Sequence, residues 1–281
     1  MRPKIGLALS GGAARGIAHI GVLKVLEENN YPIDFIAGTS MGAIIAGAYA
    51  AGLSISQLEE IARSVRWRDV TRVNFSKLGL MSSEPLEQML RRILPVTDFA
   101  KMRIPLSVVA ADIQTGQPVI FSEGDAAHAI RISCTVPGFF TPVIDKQGRM
   151  LVDGGLAQNL PASIPLQMGA DRVIAVDVNS SIEMESPPTN MFQIMMQSLM
   201  VIGRASSAHQ ALRAHLLVQP NAGRVRFDEL ERATDLLDAG ERAMRQAMPA
   251  AWDLVEKKRD SFWVKLRYGL LTPRTRPAPA K

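Results

Sequence analysis

Apolar residues along the chain follow two alternating patterns. Segments with helical spacing lie between short apolar runs, and this alternation predicts an α/β fold with a largely parallel sheet. The runs typical of strands cover residues 4–9, 33–38, 105–111, 118–121, 150–152, 172–178 and 215–218. The helix-like segments cover residues 16–29, 41–52, 54–65, 83–93, 124–132, 160–168 and 190–213.

A stretch without any charged side chain, residues 35–58, is long enough to cross a bilayer. It contains four glycines and several polar residues, so we interpret it as a buried strand, a turn and a helix. Near the start, the apolar run Ile5–Leu9 is too short for the core of a secretion signal.

Composition narrows the class of protein. The 281 residues, 47% of them hydrophobic, suit one large domain or two small ones. The single cysteine, Cys134, excludes an intramolecular disulfide and favours a reducing compartment, so we expect a cytoplasmic protein. We interpret Cys134 as a small core hydrophobe. The four histidines lack metal-ligand spacing, and we predict no metal and no cofactor.

The positive charge is concentrated at one end. The net charge is +5, yet residues 256–281 carry eight basic and two acidic side chains, which leaves the rest of the chain at −1. A nucleic-acid enzyme more often spreads basic charge over its working face, so we predict no nucleic-acid partner. We predict a main domain over residues 1–260 and a basic, partly disordered tail over 261–281.

A glycine-rich turn follows the first predicted strand. Gly11-Gly12-Ala13-Ala14-Arg15-Gly16 fits neither the phosphate-loop pattern nor the dinucleotide fingerprint, since no Gly-Lys-Ser/Thr follows and alanine takes the central glycine position. The turn can still point several backbone N–H groups one way at a helix N-terminus. Such a nest stabilises negative charge, either on a bound phosphate or on a transient oxyanion.

A second motif favours the oxyanion. The sequence GTSMG, Gly38–Gly42, stands between a predicted strand and a predicted helix, which is the context of a nucleophile elbow with Ser40 exposed. A serine nucleophile requires a base, and His209 and His215 lie late enough in the chain to be candidates. Both fall in or beside a predicted helix, where a structural role is more common. His19 is assigned no catalytic role.

A third motif is LVDGGL, residues 151–156. It places the carboxylate of Asp153 at the end of a short apolar strand, followed by Gly154 and Gly155. Taken alone, this pattern is more typical of a β-turn aspartate than of a site residue.

In this order the three motifs resemble the patatin-like phospholipase family, in particular its small bacterial members related to the neuropathy-target-esterase group. The segments HIGVLKVLEE (19–28) and AIRISCTVPGFFTPV (129–143) also look familial, and the resemblance covers roughly residues 4–180. It implies a three-layer α/β fold with a central, mostly parallel sheet flanked by helices. Ala13 stands where many relatives have glycine or serine, which does not affect a role of its backbone N–H.

The resemblance implies a Ser–Asp dyad without histidine. Ser40 would be the nucleophile and Asp153 its base, while the N–H groups of Gly11, Gly12 and Ala13 would form the oxyanion hole. Arg15 would either brace the turn or contact a lipid phosphate. The residues that would support the motifs are Arg15, Gly16, Gly38, Gly42, Gly154 and Gly155.

The implied function is hydrolysis of acyl esters of phospholipids or lysophospholipids. Alternatives are a thioesterase or transacylase with the same dyad, or a non-catalytic nucleotide-binding or interaction module.

The tail segment 262–271 mixes aromatic, leucine and basic residues, which suits either peripheral contact with the anionic inner membrane face or packing on the domain. The oligomeric state stays open. A stripe in the 190–213 helix predicts core packing or an acyl-chain wall: Phe192, Met195, Met196, Leu199 and Ile202.

Overall fold

A computed structural model of the chain describes residues 2–180, 188 and 191–256. Its strands are β1 (Ile5–Leu9), β2 (Phe35–Thr39), β3 (Arg72–Ser76), β4 (Gly79–Ser82), β5 (Leu106–Asp112), β6 (Pro118–Phe121), β7 (Gly138–Phe140), β8 (Val143–Ile144), β9 (Met150–Asp153), β10 (Arg172–Val176) and β11 (Leu216–Val218). Its α-helices are α1 (Ala18–Glu28), α2 (Met41–Ala51), α3 (Ile55–Ser64), α4 (Trp67–Val70), α5 (Glu84–Ile93), α6 (Ala126–Ser133), α7 (Gly155–Gln158), α8 (Ile164–Met168), α9 (Met191–Ala211) and α10 (Ala233–Glu256). Short 3-10 turns cover Ala13–Ile17, Phe99–Lys101 and Leu230–Arg232.

The central sheet has the strand order β11-β10-β1-β2-β5-β9-β8, with β6 also paired to β5. The five strands from β11 to β5 are parallel, and β6, β8 and β9 run antiparallel to their neighbours. The predicted α/β fold with a mostly parallel sheet is therefore confirmed. Parallel strands end at one edge of the sheet, and in such folds that edge is where ligands bind.

Helices cover both faces of this sheet. Along β1, Leu7 and Leu9 belong to the large core cluster on one face, which includes buried residues of α1, α2, α6 and α10. The intervening Ala8 belongs to a smaller cluster on the other face, with Leu160 and Leu166. Burial on both faces explains why the strands read as unbroken apolar runs.

Helix α10 is absent from the sequence prediction, although its buried residues recur every three to four positions. It packs along α1, where Gly21 and Gly240 allow the two backbones to touch. A Cβ at Gly240 would overlap the carbonyl of Ala18, and one at Gly21 would overlap that of Leu237. This close approach joins the C-terminal part of the described chain to the first βα unit.

Three further differences separate prediction and structure. Strands β3, β4 and β7 form a small second sheet that no sequence signal predicted. The short strand β8 and the short helices α4 and α7 were also missed. The helix predicted over 160–168 was wrong in its first half, because α8 begins at Ile164 and Pro165 stands in its first turn. Proline is tolerated there but not in a helix interior.

The uncharged stretch 35–58 forms β2, α2 and the start of α3, as the sequence predicted. In the described part of the chain, no helix is both long and apolar enough to span a bilayer. Residues 261–281 lie outside the described residues, so the proposed boundary and the properties of the tail stay predictions.

Candidate active site

Ser40 occupies a strained turn between β2 and α2. Its backbone angles, φ 53° and ψ −124°, lie outside the regions that non-glycine residues prefer. A conformation of this kind costs on the order of 1–3 kcal/mol and persists only where the surroundings hold it. The turn places the serine side chain at the N-terminus of α2, as expected of a nucleophile elbow.

The two glycines of GTSMG are required by close packing. A Cβ at Gly38 would overlap the carbonyl of Gly42, and a Cβ at Gly42 would overlap the carbonyl of Leu9. The elbow therefore packs directly against the end of β1. This contact brings Ser40 beside the glycine-rich turn that follows the same strand.

A buried hydroxyl holds the strained turn. The Ser40 N–H donates to Ser133 Oγ at 2.8 Å, and the Ser133 hydroxyl donates to the Val109 carbonyl at 2.6 Å. Two residues later, the Thr135 carbonyl accepts the N–H of Asp153 at 2.8 Å. One short segment at the end of α6 thus fixes the backbones of both Ser40 and Asp153.

Strand register brings Asp153 to Ser40. Thr39 is paired with Val109 on β5, and Asp153 is paired with the next residue, Ala110. The two motifs, 113 positions apart in sequence, consequently meet in space. Gly154 lies against the Val109 carbonyl beside Thr39, which continues this contact.

The Asp153 carboxylate is buried and only partly hydrogen-bonded. Its Oδ1 accepts the N–H of Gly155 at 2.8 Å, while Oδ2 has no hydrogen-bond partner among the described residues. Burial raises the pKa of Asp153 to about 6, although the nearby Ser40 hydroxyl and the Gly155 N–H favour its charged form. At neutral pH the group is a carboxylate with an unused oxygen, which suits a proton acceptor.

The glycine-rich turn differs from the sequence prediction at Gly11. The Gly11 N–H donates to the Asn159 carbonyl at 3.0 Å, so it is not free to receive an oxyanion. The Gly11 carbonyl in turn accepts from Asn179 Nδ2 at 2.6 Å. The N–H groups of Gly12 and Ala13 have no acceptor within the described ranges, and both residues face the cavity of Ser40. Two of the three predicted donors therefore remain.

Arg15 and Gly16 support this turn. Arg15 is buried, and its Nε donates to the Val225 carbonyl at 2.7 Å. Burial and the neighbouring Arg204 lower the pKa of the Arg15 guanidinium. Gly16 packs against the side chain of Met41. Of the two roles left open for Arg15, these contacts fit bracing of the turn.

The histidines make their contacts outside the cavity of Ser40. Buried His19 contacts the Ser10 carbonyl through Nε2 at 2.9 Å, and burial lowers its pKa to about 4. His215 accepts the N–H of Val173 at the start of β10, the opposite end of the sheet from Ser40. His209 is exposed on α9. None of the three lines the cavity of Ser40.

Ser40 stands where two cavities meet. One has a volume of about 100 Å³, and we call it the dyad cavity. Its polar groups come from Gly12, Ala13, Asp153, Asn159 and Asn179. The second, of about 130 Å³, is called the apolar pocket and runs along α2 between α3, α4 and α5. Both are bordered by Ala13, Ser40 and Val136. Buried Cys134 lines the apolar pocket, and burial holds the pKa of its thiol well above the ordinary value.

Helix α9 contributes a wall to the dyad cavity. Met196, Leu199 and Met200 line it. Met195 packs against Gly138 of β7. Ile202 was predicted on the same stripe but is exposed. The side chain of Phe192 lies outside the described residues.

Sequence reasoning missed three polar residues of the site: Ser133, Asn159 and Asn179. Asn159 and Asn179 both anchor Gly11, and Asn159 Nδ2 also donates to Ser207 of α9 at 2.9 Å. Asn179 follows β10 at the carboxyl edge of the sheet, a position where polar residues indicate a site. That signal was available in the sequence. Ser133 offered no comparable signal.

No cluster of three His, Cys, Asp or Glu side chains suited to a metal ion occurs in the described part of the chain. The absence of a metal and a cofactor from the reaction stays a prediction.

Comparison with known proteins agrees with the motifs. The family model for patatin-like phospholipase matches residues 7–166, which include the glycine-rich turn, the elbow and the DGG motif. The chain belongs to the patatin-like phospholipase family. The resemblance inferred from the motifs is therefore confirmed.

Relatives within this family carry the NTE name. The chain is 37% identical over 182 residues to an uncharacterised NTE family protein of Mycobacterium tuberculosis, a match that covers 64% of this chain and 50% of that protein. It is 35% identical over 184 residues to lysophospholipase NTE1 of Mycosarcoma maydis, covering 63% of this chain and 10% of that protein. The match thus spans half or less of these relatives' length.

A solved structure shares the fold. VipD from Legionella pneumophila aligns with a TM-score of 0.61 over 89% of this chain and 67% of that chain, at 15% sequence identity. At this identity the likeness concerns the fold alone.

Proposed function

We propose that this protein is a serine hydrolase that cleaves acyl esters of phospholipids or lysophospholipids. The observation that carries the proposal is the position of Ser40. It lies at the junction of the dyad cavity and the apolar pocket, beside the buried Asp153 carboxylate with its unused oxygen. Family membership and a relative named lysophospholipase support the same class of reaction.

The proposed reaction uses Ser40 and Asp153 as its dyad. Asp153 takes the proton from Ser40 Oγ, and Oγ attacks the carbonyl carbon of the ester. The N–H groups of Gly12 and Ala13 receive the resulting oxyanion, each contributing on the order of 3 kcal/mol to transition-state stabilisation. The proton then passes to the leaving alcohol. Water, deprotonated by Asp153, then attacks the acyl carbon and the bond to Ser40 Oγ breaks. The fatty acid leaves, and Asp153 returns the proton to Ser40 Oγ.

The two cavities divide the substrate. The acyl chain lies in the apolar pocket, whose lining is almost entirely hydrophobic, and the alcohol part leaves through the dyad cavity. Transfer of the methylene groups of the acyl chain from water into this pocket is favourable and contributes to binding. The acyl chain is proposed to run from Ser40 along α2 towards Ala48 and Leu58.

Narrowing this pocket should shorten the preferred acyl chain. Ala48 lies two helical turns beyond Ser40 on the pocket wall. We expect Ala48→Phe to lower kcat/KM for long-chain p-nitrophenyl esters by about tenfold or more, because the added ring fills space that the chain needs. Ala48→Val should give a smaller loss. Activity on the acetyl ester should change little in both, and equal losses on all chain lengths would contradict the proposed acyl path.

The proposed base also predicts a pH profile. Asp153 must be unprotonated to accept the serine proton, and its pKa is raised to about 6 by burial. We expect kcat/KM for a soluble ester to fall below about pH 6, by about tenfold per pH unit. His19 and His215 have pKa values lowered to about 4 by burial, so they do not account for a limb near 6. A limb that moves in a histidine variant would contradict the assignment.

A panel of substrates tests the proposed function. Acyl p-nitrophenyl esters, phosphatidylcholine, lysophosphatidylcholine and acyl-coenzyme A are compared with purified protein, with Ser40→Ala as the control. Preference for acyl-coenzyme A would favour a thioesterase, and acyl transfer to an added alcohol in excess of hydrolysis would favour a transacylase. Absence of turnover on every substrate would contradict the hydrolase proposal.

A nucleotide-binding role has less support. The Gly11 N–H, which a phosphate would need, is occupied by the Asn159 carbonyl. The turn continues as a 3-10 segment before α1 begins. Calorimetric titration with ATP and NAD provides a direct test, with no binding expected.

A further inference from the structure

Large apolar side chains are exposed on the β3–β4 hairpin. Val73, Leu78 and Leu80 are 66%, 52% and 61% exposed. Single exposed apolar residues are common on protein surfaces, but three within one short hairpin are a cluster that calls for a partner.

The hairpin is continuous with the walls of the apolar pocket. Its strand β4 pairs with β7 in the register Met81–Phe140, and Phe140 lines the pocket. Helix α4, directly before β3, contributes Trp67 and Val70 to the same pocket. The exposed leucines therefore lie on an extension of the structure that encloses the proposed acyl chain.

Helix α9 exposes a second apolar group nearby. Its Met195 methyl touches Gly138, which pairs with Gly79 of β4. On the same helix Met191 and Ile194 are exposed, while Met196 and Leu199 line the dyad cavity. We call the exposed residues Val73, Leu78, Leu80, Met191 and Ile194 the apolar rim.

The charges around the hairpin suit an anionic lipid surface. Residues 66–84 contain four basic and two acidic side chains, a net charge of +2. Arg72 pairs with Glu84 and Arg68 lies beside Asp69, while Lys77 is exposed at the hairpin tip next to Leu78. An apolar side chain beside a lysine at a tip is the arrangement of segments that insert at the headgroup boundary.

We propose that the apolar rim is the surface with which the protein lies on an anionic lipid aggregate, so that an acyl chain passes from the lipid into the apolar pocket with little exposure to water. The proposal rests on the proposed function for its substrate, but the binding it describes can be measured without catalysis. It is separate from the contact predicted for the tail, which involves residues 261–281.

Vesicle binding by the 281-residue chain tests the proposal. Vesicles of phosphatidylcholine with phosphatidylglycerol are sedimented with Ser40→Ala protein, which excludes effects of turnover. In this background we make the double substitution Leu78→Ser and Leu80→Ser, called the hairpin variant. We expect it to weaken partitioning of the protein into vesicles by about tenfold or more, because serine does not insert into the lipid as leucine does. The matched control is Leu212→Ser, because Leu212 is 70% exposed but follows α9 near His215, at the opposite end of the sheet.

Comparison of the hairpin variant with the Leu212 variant decides whether the proposal holds. Loss of binding in the hairpin variant, with normal binding in the Leu212 variant, supports the proposal. Unchanged binding of the hairpin variant overturns it, as does an equal loss in both variants. If the hairpin variant binds vesicles normally but has half the molar mass of the protein without the hairpin substitutions in light scattering, the proposal is also overturned. The rim is then a contact between two copies of the chain.

Activity on a soluble ester separates this inference from the proposed function. With Ser40 restored, the hairpin variant should hydrolyse p-nitrophenyl acetate at the normal rate, because the rim lies outside the dyad. If the wild-type protein binds vesicles through the rim but cleaves no ester, the proposed function fails while the lipid-binding surface stands.

Discussion

Replacing Ser40 with alanine is expected to abolish ester hydrolysis and covalent labelling by a fluorophosphonate probe together. Because Oγ is the proposed nucleophile, the loss in kcat should be about 10⁴-fold or more. The β2–α2 turn should keep its shape, since alanine retains the N–H that donates to Ser133. Turnover, probe labelling followed by mass spectrometry, and thermal melting measure the three effects.

A matched control is Ser56→Ala, which alters an exposed serine on α3. It should leave both labelling and turnover unchanged. Labelling of the Ser40→Ala protein at another residue would show that the elbow does not carry the nucleophile.

Asp153→Asn is expected to lower kcat by about 10²- to 10⁴-fold, the range typical of a lost general base. The same change should stabilise the protein. The folded-state pKa of Asp153 is raised to about 6, so the folded protein holds this proton more tightly than the unfolded chain does. Stability from this group is therefore present at low pH and is lost as pH rises from about 4 to about 6.

At pH 8 the charged carboxylate destabilises the fold, by on the order of 2–3 kcal/mol from a shift of about two pKa units. Asparagine removes that cost, can still accept from the Gly155 N–H, and has the Ser40 hydroxyl as an acceptor for its amide group. Chemical denaturation at pH 8 and at pH 4 measures the difference, which should be large at pH 8 and small at pH 4. A variant that loses stability at pH 8 would contradict this account of the carboxylate.

The matched control is Asp177→Asn. Asp177 is also buried with a raised pKa, but it does not line the dyad cavity. Its carboxylate accepts the N–H of Asn179 at 3.0 Å, a bond that asparagine can keep. This variant should therefore alter stability and lose far less turnover than Asp153→Asn. His19, His209 and His215, replaced singly, should likewise retain most activity, and a histidine variant that folds but loses turnover would restore a Ser–His–Asp mechanism.

Local signals were sufficient for the parts of the site that depend on local geometry. GTSMG and DGG each place glycines at the end of a strand. The geometry of a tight turn there depends only on residues a few positions away. The motifs could therefore be placed before any tertiary contact was known. Their order along the chain was enough for the family resemblance.

The hydrogen-bond partners of the site could not be obtained in this way. Gly11 was predicted as an oxyanion donor because its neighbours suggested a nest of free N–H groups. The Asn159 carbonyl that occupies it comes from a segment 148 positions later. Ser133 likewise acts on Ser40 from 93 positions away.

The sequence by itself determined the alternation of strands and helices, the largely parallel sheet and the turns that carry Ser40 and Asp153, because hydrophobic period and glycine geometry act over a few residues. The tertiary structure alone decided that Ser40 and Asp153 meet, which donors stay free, and that an apolar pocket borders the serine. These features depend on the register of β5 with β2 and β9 and on packing between distant segments. Short strands such as β3 and β4 also belong to this second group, since pairing with β7 stabilises what their own sequence does not.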